Sequence, residues 1–392
     1  MAFRGLCAQA RGEARWSHGF YLFLKTRPCK FLFARIFYFS AFGFFTVITR
    51  TGFYKKIIYF YSQEIFTMKN IKKIVALMLA MALMACACLA FTSCGDDGKY
   101  TIGILQLVTH DALDAATQGF MDAVKAELGE ENVEFLVQNA NNDTNLCSTI
   151  ATDFVAKNVD LIMANATPAL QAAASATLDI PVLGTSVTEY GVALGIKNFD
   201  GLVGGNISGT SDRAPLDEQA QMILDLFPNA EKIGILYCSA EANSKYQVEE
   251  ITRLLVEKGV PAASIKEYAF TDSNDISAVT TAASAASDVI YVPTDNTVAN
   301  NTAIIDSICR ADNTPIIAGE AGICSGCGVA TLSISYYDLG YATGKMAAKI
   351  LKGESKIDRM PIEYAATSTK KYNAEICTAL GITIPEGYTP LG

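Results

Sequence analysis

From Tyr100 onward, short β-branched runs alternate with amphipathic helical stretches, and the alternation is run through twice. Tyr100-Thr-Ile-Gly-Ile-Leu opens the first round and Glu231-Lys-Ile-Gly-Ile-Leu the second. Within the first round, Leu113, Ala116, Phe120, Ala123, Val124 and Leu128 recur at helical spacing, which predicts a helix over 112–128. Strands follow at 132–138, 160–164 and 180–184, with helices at 145–158 and 168–177 between them. The second round predicts helices over 212–227, 242–258, 275–286 and 297–310. Its strands fall at 232–237, 264–270, 288–292 and 315–318, and a strand, a helix and a strand close the chain from 329 to 366. Strands separated by helices at this rhythm build parallel sheets with helices on both faces. The expected fold class is α/β, with two doubly wound parallel-sheet lobes facing each other across a cleft. The Gly-rich stretch 201–210 interrupts the rhythm where the chain would pass between them.

The segment Met68–Cys94 has a different physical character. Lys69, Lys72 and Lys73 precede an unbroken apolar run from Ile74 to Phe91, and Thr92-Ser93 then precede Cys94. A positive start, an apolar core and small residues at the end form an export signal. The pattern resembles a bacterial lipoprotein box with Cys94 as the lipidated residue, and Cys86 is the rival. A membrane-spanning helix of this length is the alternative. Met1–Thr67 holds 19 of the 38 aromatic residues and lacks the turn clusters that delimit packed elements. It reads as an upstream extension outside the working molecule, with an N-terminal anchor as the other reading.

Charge divides the chain at the same place. Met1–Cys94 carries 13 basic and 2 acidic residues, whereas the remainder carries 18 and 38. A body that acidic is a poor match for nucleic acid, because phosphate contacts need Lys and Arg. The two histidines are His18 and His110, so after Cys94 a catalytic triad or a histidine-rich metal site has only His110 available. His110 beside Asp111 is read as a hydrogen-bonding cleft residue; no enzyme activity, cofactor or metal is expected. Cys324-Ser-Gly-Cys327 is a lone C-x-x-C in a Gly-rich stretch, read as a local disulfide or two free thiols, since neither a second pair nor a histidine is near.

In open parallel sheets, ligands bind beyond the carboxyl ends of the strands. Those positions hold Gln106 and His110, then Thr167, then Thr188 in the first round. In the second they hold Glu241, Asn243, Asp295, Asn296 and Glu320. Helix N-termini there would suit a carboxylate, and Asp295 and Glu320 an ammonium, which together would recognise a zwitterion. Helix capping by the same residues is the plainer alternative for each one taken singly.

Six motifs then carry a resemblance. They are Gly103–Asp114 (Gly-Ile-Leu-Gln-Leu-Val-Thr-His-Asp-Ala-Leu-Asp), Ala166–Ala172, Gly209–Asp212, Ser239–Ser244, Tyr291–Ala299 and Tyr336–Gly340. In this order the chain from Tyr100 to about Tyr364 resembles the substrate-binding lipoproteins of ABC importers, in the family associated with tryptophan, tyrosine and phenylalanine uptake. The resemblance implies a type I periplasmic-binding (Venus flytrap) fold with three crossovers, near Gly205, Thr331 and Arg359. The implied lobes are 99–206 with the return segment 332–358, and 207–331 with the return strand 359–368, leaving 369–392 as a tail. It implies a monomer, tethered to the extracytoplasmic face of the cell membrane, that hands an amino acid to a permease and its ATPase. Ser211 and Asp212 join the residues above as implied ligand contacts. With no tryptophan after Trp16, an aromatic ligand would stack on Tyr or Phe. A signalling receptor as partner, or a sugar or nucleoside as ligand, are the alternatives.

Overall fold

In the first sheet the apolar residues alternate between two helical layers. Ile102 and Ile104 of β1 (Tyr100–Gln106) join Leu161 and Met163 of β3 (Leu161–Asn165) on one face. That face is covered by Phe120 and Val124 of α1 (Asp111–Leu128) and by Met346 of a helix from the end of the chain. Leu105 and Ile162 face the other way, against Phe154 of α2 (Thr144–Ala156) and Ala169 and Leu170 of α3 (Thr167–Ala176). Burial on both faces is what a parallel sheet requires, and it explains the nearly continuous apolar runs. The computed structural model from which these contacts come describes residues 98–391. The expected upstream extension, the expected export signal and Cys94 lie outside the described residues.

The first sheet also contains β2 (Val133–Asn139), β4 (Val182–Thr185), β5 (Ile207–Ser211) and β11 (Glu363–Tyr364), in the order β11-β5-β4-β3-β1-β2. A short helix, α4 (Tyr190–Leu194), follows β4. The second sheet runs β13-β12-β10-β9-β8-β6-β7, from β6 (Ile233–Cys238), β7 (Ile265–Phe270), β8 (Val289–Val292), β9 (Ile316–Ala318), β10 (Ala330–Ser333), β12 (Thr369–Tyr372) and β13 (Thr389–Pro390). Its helices are α5 (Leu216–Leu226), α6 (Ala242–Glu257), α7 (Ile276–Ser284), α8 (Asn296–Ala299), α9 (Thr302–Ala311) and α10 (Ala321–Cys327). The central strand order is therefore the same in both lobes. The order reverses between β1 and β3 and again between β6 and β8, so each lobe has one switch point at its carboxyl edge.

Three crossings link the lobes: Ser211 to Leu216, Ser333 to Tyr336, and Tyr364 to Thr369. Their number matches the expectation, but the boundaries differ. Ile207–Ser211 belongs to the first sheet, paired with β4, because Gly204 and Gly205 take positive φ and turn the chain back within the lobe. The first crossing is instead Asp212-Arg-Ala-Pro. Helix α5 starts only at Leu216 because Pro215 bars helical geometry in the residue before it. The strand at 363–364 also pairs in the first sheet, where Ser208 Oγ and the Gly201 carbonyl hold Met360 and Ile362. The tail from Thr369 is a structural part of the second lobe, since β12 runs antiparallel to β10. Helix α11 (Tyr336–Leu351) returns to lie along α1 in the first lobe, and α12 (Ala374–Ala379) packs Ile376 and Cys377 into the second.

Candidate functional site

The carboxyl edges of the two sheets face each other. Between them lies a cavity bordered by His110, Leu113 and Ser186 of the first lobe, by Asn243 and Thr294–Asn296 of the second, and by Asp212 and Tyr336 of the crossings. Among the described residues no lysine or arginine borders it. It offers about 10 Å³ for the centre of a water-sized sphere, enough for one water and far below the roughly 300–1,000 Å³ of ligand pockets. A ligand larger than a water molecule would therefore enter only when the lobes part.

Three buried carboxylates, Asp212, Asp295 and Glu320, border this space and a fourth, Glu241, lies behind its wall; their hydrogen bonds separate their roles. Asp295 accepts from Val298 N at 2.9 Å through one oxygen, and from Cys238 N and Ser244 Oγ, each at 2.7 Å, through the other. Glu241 is equally committed: Oε1 accepts from Thr297 N and Oγ1, and Oε2 from the backbone and side-chain amides of Asn296 and from Asn243 Nδ2. Glu320 caps α10, accepting from Gly322 N at 2.6 Å and from Ile323 N. Asp212 differs. Its Oδ2 accepts from Tyr336 OH at 2.9 Å, while Oδ1 is buried without a partner among the described residues.

Burial pushes the Asp212 carboxyl up from its ordinary range, opposed by the nearby Thr188 hydroxyl and by the hydrogen bond from Tyr336. Burial likewise raises Glu320, to about 7. Asp295 is raised by burial first and then by the charge of Glu241. The cleft thus strains toward a positive charge that its own lining does not supply.

His110 completes the arrangement. Its Nε2 lies 3.3 Å from Asn296 Oδ1. The Asn296 amide is oriented by its 2.7 Å bond to Glu241, so Nε2 carries the hydrogen and Nδ1 is left as an acceptor. That Nδ1 is buried without a partner among the described residues, as are Ser186 Oγ and Asn243 Oδ1. Three acceptor atoms and a hydroxyl therefore stand ready around one small space. Burial lowers the His110 pKa, against the pull of Asn296, Glu241, Asp114 and Asp111.

Of the residues read from the sequence, His110, Asp212, Asn243, Asp295, Asn296 and Glu320 border the cavity. Five others do not. Gln106 is spent inside its lobe, donating to Val108 O and Asp114 and accepting from Thr117. Thr188 and Ser211 sit behind Asp212, with Ser211 Oγ donating to Thr188 O at 2.8 Å. Thr167 is the first residue of α3, and Glu241 stands behind Asn296. Asp295, expected to hold an ammonium, has both oxygens filled by its own lobe. Ser186, Thr294 and Tyr336 border the cavity as well. Ser186 and Thr294 fall at strand ends, and Tyr336 opens a motif quoted above, so each had a signal in the sequence.

Comparison with known proteins gives this geometry its setting. The family model described as ABC transporter substrate binding protein matches residues 101–389. The chain belongs to that family. A curated relative, the tyrosine-binding protein of Clostridioides difficile, is 37% identical over 65% of this chain and 73% of its own. The structure from Streptococcus pneumoniae in complex with L-Trp is 34% identical, covering 74% of this chain and 99% of that one, with a TM-score of 0.70. The ligand-free, open structure of a substrate-binding protein with adhesive properties from Clostridium difficile is 36% identical at the same coverage, yet its TM-score is 0.58. This member of the substrate-binding family has its lobes together: the cavity is narrow, and His110 and Asn142 of the first lobe bond Asn296 and Thr297 of the second.

Proposed function

We propose that this substrate-binding protein captures an amino acid, an aromatic one by preference, and delivers it to a membrane permease driven by an ATPase. The observation that carries the reading is Asp212 Oδ1, which among the described residues has no partner and lies in a cleft of buried carboxylates with no bordering cation. An α-ammonium beside it would supply the missing charge and donate to Asp212 and Asn243, leaving Ser186 Oγ as a donor to the ligand's carboxylate. This moves the ammonium role from Asp295 to Asp212, on the crossing between lobes, where a bound charge touches the hinge directly. The aromatic preference rests on the relatives' tyrosine and L-Trp and on Tyr336 in the cavity wall. Ligand stabilises the closed form only through differential contacts, and bonds to the crossing and to both lobes provide them. The protein would work as a monomer, held at the extracytoplasmic face by lipid on Cys94; a double acyl anchor holds durably where a single chain does not.

A thermal-shift screen of residues 96–392 against the amino acids, sugars and nucleosides tests the ligand class, since binding raises the midpoint by mass action. L-Tyrosine, L-tryptophan or L-phenylalanine should give the largest shift, and N-acetyl-L-tyrosine, which lacks the ammonium, none. Asp212→Asn should weaken binding roughly 10- to 100-fold, the worth of a hydrogen bond to a charged group. A sugar that shifts the midpoint while amino acids do not would end the reading.

A further inference from the structure

Two hydrogen-bond chains cross the cleft, and both end on the same carboxylate. In one, Asn142 Nδ2 of the first lobe donates to Thr297 Oγ1 at 3.0 Å, and Thr297 Oγ1 donates to Glu241 Oε1 at 2.8 Å. In the other, His110 Nε2 pairs with Asn296 Oδ1 at 3.3 Å, and Asn296 Nδ2 donates to Glu241 Oε2 at 2.7 Å. We infer that Glu241 presets a two-point latch, Asn142–Thr297 and His110–Asn296, which favours lobe closure independently of ligand.

The chemistry supports this at each step. Glu241 also accepts from the backbone N–H groups of Asn296 and Thr297, at 3.1 and 2.8 Å, so the start of α8 is fixed before the first lobe arrives. A carboxylate only accepts, so the Thr297 hydroxyl must point its hydrogen inward and turn a lone pair to Asn142. The Asn296 amide must likewise turn its oxygen to His110. Each chain runs from donor to charge in one direction, which strengthens its members.

The opposing side is equally set. Asn142 sits at φ +62°, a conformation asparagine tolerates, with its own N–H bound to Leu107 O at 2.8 Å. Neither Asn142 nor Thr297 borders the cavity. Their bond is thus made between lobes and not to ligand, and Glu241 is a positioning residue for both contacts. A latch of this kind also holds the lobes closed over a bound ligand, and so raises the apparent affinity.

The inference rests on the reading that the lobes open and close around a ligand, but its first test needs no ligand. Distances between two spin labels, one per lobe, measure the open and closed populations of the ligand-free protein. Asn142→Gly keeps the backbone conformation and removes the side chain. It should shift closed toward open by about 2- to 10-fold, the range for one neutral hydrogen bond. Thr297→Val should do the same, and the double variant should go little further, because the two residues share one bond. Distance distributions unchanged from the parent protein, or effects that add in full, would overturn the latch.

Glu241→Gln puts an amide donor where donors already converge, and should open the lobes further than either single change. Its circular dichroism must remain that of the parent for this arm to count, and the Asn142–Thr297 cycle decides the matter if it does not. L-Tyrosine affinity should fall in proportion to the closed fraction. If no amino acid binds at all, the ligand reading fails, and the ligand-free distances still judge the latch.

Discussion

Glu320 shows how a single side chain can serve two demands that pull against each other. It caps α10, where two N–H groups favour its ionised form, yet its burial favours the protonated one and prevails, raising it to about 7. An unfolded glutamate titrates near 4.3. A group raised on folding gives stability that is complete below the unfolded value and lost as pH rises through the folded one. Glu320→Gln removes this titration and keeps an oxygen for one of the N–H groups. The melting temperature of wild type minus that of Glu320→Gln should therefore be greatest near pH 4.5 and shrink steadily by pH 8. A difference that stays constant across that range would show that Glu320 does not titrate between folded and unfolded states. Asp295 and Asp212 show why such distinctions escape the sequence. Both follow strands and precede polar residues, and nothing in the one-dimensional pattern says that Cys238 N and Ser244 Oγ fill one while the other keeps a free oxygen. The sequence locates the polar loops; which oxygen is left over depends on partners some fifty residues away.

At the scale of elements, the helices and strands with long apolar periods were readable, and those set by local chemistry were not. The helix expected over 297–310 breaks at Asn300-Asn301, where Asn301 Nδ2 bonds Thr297 O at 2.7 Å and competes with the helix backbone. The Gly-rich stretch around Cys324 and Cys327, read from the sequence as a local disulfide or two free thiols, is helix α10, nucleated by the Glu320 cap, with both thiols free and buried. Glycine there permits close packing: a Cβ on Gly326 would meet the Thr302 side chain. The same device brings α11 against α1. A Cβ on Gly340 would meet the Ala116 carbonyl, and one on Gly344 would stand 2.6 Å from the Phe120 carbonyl. Backbone cannot yield as a side-chain tip does. Gly340→Ala should cost about 1–3 kcal/mol or more in urea denaturation, the usual range for overpacking. It should also weaken ligand binding, because α11 begins at Tyr336, which donates to Asp212. A Gly340→Ala protein as stable as wild type would mean that the two helices separate freely.

For the molecule as a whole, the two repeats and the two facing lobes were legible because a parallel sheet buries both faces and writes that into its composition. The crossings were misplaced by several residues because pairing at β5 and β11 is decided by a turn at Gly204-Gly205 and not by apolar content. Closure itself couples titration to binding, and the signs agree. In the closed cleft burial holds Asp212 and Glu320 up, and an arriving ammonium favours their ionised forms, so binding displaces protons from them. Burial lowers His110 even with Asp111, Asp114 and Glu241 near it, so the closed form takes the neutral imidazole, and opening the cleft relieves that burial and favours protonation. Lower pH therefore opposes the liganded state, through the two carboxylates relative to the closed empty cleft and through His110 relative to the open one. The affinity for L-tyrosine should rise from pH 5 to about 7.5 and then level. Calorimetry near pH 6 in two buffers of different ionisation heat should show net proton release. Asp212→Asn should flatten part of that rise as well as weaken binding. An affinity that is constant from pH 5 to 7.5 would show that none of these groups changes protonation when the lobes close on ligand.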